Sequence, residues 1–395
     1  MKQQILSVLE NYSTWLSRFG EKSQDHQDFF ASKVGRSAKN LYYKSPKIGT
    51  LAVAPMVACE AFFPWTRRLY FPKQRLPISD AHFAMGFAAL YRLTQNESHL
   101  ERSKHFLQVL EDTRCPKYSE FCWGYPFNWQ TVHSTIEAGT PLITTTPYCF
   151  EAFRDLHRID GNDKWHEIML SVAKHALVDY QDVPTGDESA TCTYMPYGRT
   201  HVVNASSYRA ALLYAGWKLT GEDAYKETAD RNIRFVLESQ KPDGSWPYAT
   251  DGSRDFVDHF HTCFVMKGLI KVNTFAPNPA IERALEKGID YYLEHLFDED
   301  GLPKPFAIAP RMTVYKRELY DCAECINLGV LLRGTNSKLD AAVDHTVKEI
   351  TSNWVQKSGA FRSRKLLVGW DNVPMHRWGG SEMFRSLALY AESCC

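Results

Sequence analysis

One helical segment, opened by polar residues and continued as an apolar stripe rich in small side chains, recurs six times, starting at Ile78, Ile143, Val202, Phe256, Glu318 and Pro374. Representative copies read ISDAHFAMGFAALYRLT, VVNASSYRAALLYAGWKLT and FVDHFHTCFVMKGLIKVN. A unit of this kind cannot bury its stripe alone, so neighbouring copies must stack. Most copies are followed by a second pattern, such as ESHLERSKHFLQVLEDT or DAYKETADRNIRFVLESQ, with apolar residues at three- and four-residue spacing and a polar outer face. That is the period of an amphipathic helix resting on a core.

The first set therefore predicts an inner ring of helices and the second an outer ring. No outer helix follows the sixth copy, and the amphipathic stretch from Lys2 to Phe19 is the spare helix that can take its place. A linear solenoid uses the same hairpins, but six copies plus one spare helix fit a closed ring better. The expected fold is all-α, an (α/α)6 toroid closed by its N-terminal helix. It forms one domain over residues 1–395, in which residues 1–75 are N-terminal helices and a loop packing on the ring.

With 44% hydrophobic and 23% charged residues the chain has a globular composition, and Lys plus Arg equals Asp plus Glu at 46 each. No global basic field exists, so nucleic acid is not an expected partner. The N-terminus lacks the unbroken apolar core of a signal peptide, and no uncharged apolar run approaches the ~20 residues of a bilayer span, so a cytoplasmic protein is expected. Ten cysteines in this length do not make a disulfide scaffold; Cys59, Cys149 and Cys263 lie inside apolar helical patterns and read as reduced, buried thiols.

The segment RNIRFVLESQKPDGSW resembles the Gln-Trp repeat of the squalene and oxidosqualene cyclases and their toroid relatives, with Arg231, Phe235, Val236, Gln240, Gly244 and Trp246 at that motif's positions. The glutamine can bond a neighbouring helix end, and the glycine permits the turn that lets the tryptophan plug the gap between helices. The Asp-x-Asp-Asp acid motif of the terpenoid cyclases has no counterpart, so polyprenyl cyclisation is set aside. From about residue 75 to the C-terminus the sequence resembles bacterial polysaccharide-biosynthesis proteins with this toroid. The resemblance implies a glycan ligand and peripheral association with a polysaccharide-synthesis complex.

In a helical toroid the N-terminal ends of the inner helices converge on one mouth, where their positive dipole ends meet a ligand. The six openings supply Asp80 and His82; Tyr148; Asn204 and Tyr208; Asp258, His259 and His261; Asp321 and Glu324; and His376, Arg377, Trp378 and Glu382. Asp258, Asp321 and Glu324 sit on adjacent repeats, and two carboxylates across a cleft are what glycoside hydrolysis requires. The plainer alternative is that Asp80, Asp258 and Asp321 only cap their helices. The stretch YGRTHVVNASSYR adds Arg199 and His201 to Asn204 and Tyr208, a set chemically suited to a uronic-acid epimerase or lyase and equally consistent with a hydrogen-bonded loop. Trp123, Tyr125 and Trp129 in EFCWGYPFNWQ, and Trp370 in the last long loop, suit either sugar faces or helix packing.

Asp258, His261, Cys322 and Cys325 bring metal-ligand types to adjacent repeats, but Cys322 and Cys325 fall in a helical stripe; no metal and no cofactor is expected, and no Gly-rich phosphate loop occurs. The leading expectation is a carbohydrate-active enzyme, glycoside hydrolase-like, with Asp258, Asp321 and Glu324 as acid–base residues and His261 beside them. The alternatives are a uronate epimerase or lyase working through His201 and Tyr208, and a non-catalytic glycan-binding scaffold.

Overall fold

The computed structural model describes every residue except Val132, His133, Arg199, Arg311, Met312 and Cys395. Helix α1 (Lys2–Phe19) is followed by the short α2 (Asp28–Ala31), α3 (Lys33–Lys44), α4 (Pro46–Phe62) and α5 (Arg67–Tyr70). Six helices then alternate with five partners: α6 (Pro77–Thr94), α7 (Glu97–Asp112), α8 (Thr146–Asp160), α9 (Asp163–Val178), α10 (Val203–Thr220), α11 (Asp223–Glu238), α12 (His259–Phe275), α13 (Pro279–His295), α14 (Leu319–Leu331), α15 (Ser337–Asn353) and α16 (Ser381–Ser393). The even-numbered helices from α6 to α16 pack side by side as the inner ring, and α16 meets α6 to close it. Helix α1 lies against α15 and α16 as the sixth outer helix, the closure predicted from the unmatched N-terminal helix.

Local chemistry sets the hairpins. Gly161 and Gly221 end α8 and α10 in the left-handed region, and Asn96, Asn162, Asn278 and Asn336 cap α7, α9, α13 and α15 by accepting from first-turn amides. These turns are tight, and all lie at the C-terminal ends of the inner helices. The long connections 113–145, 179–202, 239–258, 296–318 and 354–380 all lie at the N-terminal ends and carry short antiparallel ribbons, including a three-stranded one built from Tyr315–Glu318, Arg364–Leu366 and Trp370–Asp371. Loop length alone therefore gives one end of the ring the material for a site.

The Arg231–Trp246 turn plugs the outer wall. Gln240 donates to the Ala284 carbonyl of α13 and to Gly244 O, at 2.8 and 3.0 Å, while buried Trp246 donates to Val236 O at 3.0 Å. Gly244 has φ +93°, and a Cβ there would stand 2.3 Å from the Lys287 carbonyl oxygen. The sixth inner helix begins later than its sequence pattern suggested. Gly379, at φ +114°, kinks His376–Gly380, and α16 starts only at Ser381.

Residues 20–75 pack beside the N-terminal mouth and are tied to it by charge. Arg377 holds Asp25 with two 2.7 Å bonds, Arg67 bridges Glu60 and Asp371, and Arg364 pairs with Glu60 and Glu318. All nine described cysteines are free thiols. Among the described residues no single helix is long and apolar enough to cross a membrane.

Candidate functional site

At the start of α12, Asp258 caps the helix by accepting from His261 N at 2.9 Å, and its second oxygen accepts from His261 Nδ1 at 2.6 Å. The carboxylate fixes the tautomer and leaves Nε2 as the acceptor, an arrangement that makes a histidine a directed general base. Asp258 is buried, while His261 stays partly exposed and packs against Tyr248, Phe260 and Phe264. On the next inner helix, Asp321 is fully buried and neither carboxylate oxygen has a partner among the described residues. Burial first, then the neighbouring carboxylates Glu318, Asp258 and Glu324, hold its carboxyl well above the usual range. Asp258 and Asp321 thus stand in different environments, one hydrogen-bonded to its own helix and to His261, the other buried without a hydrogen-bond partner among the described residues and raised by that burial.

Deeper in the ring, Glu324 pairs with Lys267 Nζ at 2.6 Å. Lys267 donates to Tyr148 Oη at 3.0 Å, and Tyr148 shares a 2.6 Å bond with Tyr208. Glu382, held by Asn327 Nδ2 at 3.1 Å, is pushed well above the ordinary carboxylate range by burial and by the Glu324 carboxyl beside it. Buried Asn204, Thr146, Ser79 and His82 also carry side-chain polar atoms without partners among the described residues. Native interiors leave few such atoms, and these lie in the first two turns of the inner helices. Partly buried Trp378, aimed by the kink at Gly379, meets Tyr320 and Phe260 edge-on at ring distances of 4.7 and 5.5 Å.

The remaining sequence candidates divide clearly. Tyr125 lies under the Arg377 guanidinium, with Trp129 at its edge. His201, partly exposed, adopts φ +64°, a position a non-glycine residue rarely takes, and Arg199 lies outside the described residues. Several candidates prove to be structural. Trp123 is fully buried and donates to Leu110 O, plugging the wall as Trp246 does. His259 is sealed between Leu296 O and the Tyr292 hydroxyl, and burial lowers its pKa to about 3. His376 is likewise buried on Gly20 O and lowered to about 4, Arg377 is spent on Asp25, and Asp80 pairs with Arg75. Trp370 stands against Trp354 in the last loop, beneath Arg362 and Lys365. No group of three or more His, Cys, Asp or Glu side chains among the described residues is arranged to hold a metal ion, and Cys322 and Cys325 face the apolar core.

The sequence reading missed a second feature. A cavity of about 460 Å³ opens towards the C-terminal ends of the inner helices, the end opposite the long loops. Arg92, Arg154, Arg158, Lys267, Lys271 and Arg385 line it, against Glu151 and Asp155. Lys271 and Arg385 both pair with Glu151; burial opposes its ionisation, but Lys271, Arg154 and Arg385 hold it well below the usual range. Burial lowers Lys271 to about 8 despite that pairing. The available signal was charge inside an apolar stripe, as in VMKGLIK and MFRSL.

No protein-family model matches the chain, and no curated protein matches it. Solved structures do. An unsaturated glucuronyl hydrolase from Bacillus sp. GL1, described as responsible for the degradation of glycosaminoglycan, superposes with a TM-score of 0.62 at 12% identity, covering 98% of this chain and 96% of its own. Cellobiose 2-epimerase from Bacillus thermoamylovorans B4167 gives 0.61 at 10%, covering 80% and 87%. A polysaccharide lyase gives 0.56 at 12%, covering 86% and 95%. The fold is the (α/α)6 toroid.

Proposed function

We propose that this protein is a carbohydrate-active enzyme that hydrolyses a glycosidic bond at the N-terminal mouth of the toroid. Asp321 is the proton donor, and the Asp258–His261 pair is the base that activates water. The observation that carries the reading is the contrast between the two aspartates: Asp258 is committed as an acceptor to His261, whereas burial raises the unpartnered Asp321 carboxyl, the environment of a proton donor. Unpartnered polar atoms on Asn204, Thr146 and Ser79 suit a hydroxyl-rich ligand, and the Trp378, Tyr320 and Phe260 rings suit the apolar face of a sugar. Like folds acting on glucuronyl and cellobiose units support the substrate class. A role in polysaccharide synthesis or trimming belongs to the same proposal, through the resemblance of the sequence from about residue 75 onward to bacterial polysaccharide-biosynthesis proteins, as does a cytoplasmic setting.

The cation-lined cavity favours a second reading, an epimerase or lyase acting on a uronate, in which the cations neutralise the carboxylate and Tyr208, joined to the cavity's Lys267 through Tyr148, moves a proton. One experiment separates the readings: incubation with a panel of acidic and neutral oligosaccharides in heavy water, followed by mass spectrometry. Cleavage with addition of water supports hydrolysis. Carbon-bound deuterium without cleavage, or an unsaturated product, supports the second reading. Binding without any product overturns both in favour of a glycan-binding scaffold.

A further inference from the structure

We infer that the α3–α4 hairpin docks this protein onto an anionic bilayer surface, with α4 lying in the plane of the interface. Helix α4, PKIGTLAVAPMVACEAF, is apolar on every side, a pattern that belongs inside a core or a lipid phase. Yet it buries only Gly49, Met56 and Ala61. Ile48, Leu51, Val57, Phe62, Trp65 and Leu69 are 40–76% exposed, and ten of the seventeen exposed large apolar side chains among the described residues fall between Val34 and Leu69. A patch of that density on a folded protein is a covered surface in use.

Charge identifies the covering surface. From Phe29 to Cys59 the chain carries no acidic residue, while Lys33, Arg36, Lys39, Lys44 and Lys47 lie on α3 and at the start of α4. Glu60, the first acid, is consumed by Arg67 and Arg364. Tyr42, Tyr43, Phe63 and Trp65 flank the apolar stretch as aromatic residues do at a membrane interface. A basic face with apolar and aromatic anchors matches an anionic leaflet. It opposes a second copy, which would bring like charges together. Seventeen residues span ~25 Å as a helix, short of the ~30 Å hydrocarbon core, and the chain turns by 117° between Pro46–Phe62 and Pro64–Tyr70, so the segment lies along the surface. Through Glu60 the hairpin is also bound to Arg364, and through Arg67 to Asp371, which fixes the toroid's mouth relative to the membrane. This inference is independent of the chemistry proposed at the mouth.

The test is co-sedimentation of the full chain with vesicles of phosphatidylcholine alone and of phosphatidylcholine mixed with phosphatidylglycerol. Binding is expected only to the mixed vesicles, falling by about tenfold or more in high salt. A triple Ile48→Ser, Leu51→Ser, Leu69→Ser chain and a triple Lys33→Gln, Lys44→Gln, Lys47→Gln chain should each lose about tenfold in binding with unchanged thermal melting, because all six side chains are exposed. The inference is overturned if the wild type ignores anionic vesicles, if the serine variant binds as well as wild type, or if the wild type is a dimer that the serine variant dissolves.

Discussion

His259 offers a quantitative test of how the inner ring tolerates acid. It lies in the first turn of α12, fully buried, with Nδ1 on the Leu296 carbonyl and Nε2 2.7 Å from the Tyr292 hydroxyl. That pairing suits a neutral imidazole that donates from Nδ1 and accepts at Nε2, and the positive end of α12 also disfavours the cation. Its folded pKa of about 3 lies below the ordinary 6.5, so between these values the unfolded chain binds the extra proton. The associated stability is complete above pH 6.5 and is lost as pH falls towards 3. At pH 5 the difference covers about 1.5 units, or ~2 kcal/mol at 1.36 kcal/mol per unit. Asp28 and Asp80, raised to about 7 by burial, work with the opposite sign: their folded forms bind the extra proton, which adds stability as pH falls from 7 towards 4. The diagnostic quantity is therefore the difference between wild type and His259→Gln in urea unfolding. At pH 7.5 the variant should be less stable by ~1–3 kcal/mol, the cost of disturbing buried hydrogen bonds. That gap should narrow by about 2 kcal/mol at pH 5. A gap that stays constant from pH 7.5 to 5 would refute the assignment of His259 as a buried neutral structural residue.

Lys267→Met should destabilise the protein by about 3–5 kcal/mol, since it strands Glu324 beside Glu382, and adding Glu324→Gln should recover most of that loss in the same unfolding assay. Gly244→Ala should cost more than Gly221→Ala: both sit at positive φ, but only at Gly244 does the new Cβ strike a carbonyl oxygen, and about 1 kcal/mol or more should separate the two midpoints' free energies. Asp321→Asn should leave the protein at least as stable as wild type at pH 7. The folded Asp321 pKa is raised, so the wild-type carboxyl costs stability above pH 3.8, and the advantage of the amide should vanish in unfolding curves recorded below that pH.

The ring was legible in the sequence because its signal is periodic and local. The apolar stripes from Ile78 onward, the asparagine caps and the unmatched Lys2–Phe19 helix each record a packing need that a neighbour must meet. The Gln240, Gly244 and Trp246 turn was legible for the same reason, as each side chain serves a backbone group close by. The site was only partly legible. Asp258, His261, Asp321, Glu324, Tyr208 and Glu382 do gather at or below one mouth, but a polar opening does not reveal which residue receives a structural partner. His259, His376, Arg377 and Asp80 are spent on Tyr292, Gly20, Asp25 and Arg75, and all but Tyr292 of these partners come from the segment before the first repeat. The basic cavity was hidden because Glu151, Lys267, Lys271 and Arg385 lie on different helices, and their mutual pairing exists only once the ring closes. Exposure of α4 is likewise a tertiary fact: from its sequence alone the helix reads as core.

The most direct test of the acid–base account is the initial rate of product formation by wild type, Asp321→Asn and Asp258→Asn on whichever oligosaccharide the wild type converts, with folding verified by circular dichroism. The account predicts that both variants bind the oligosaccharide, and that each loses about 10²–10⁴-fold in kcat, the range for removing a general acid or the partner that directs a base. Folded variants that turn over within a few-fold of wild type would contradict it and leave Asp258 as a helix cap and Asp321 as a buried acid without a catalytic role.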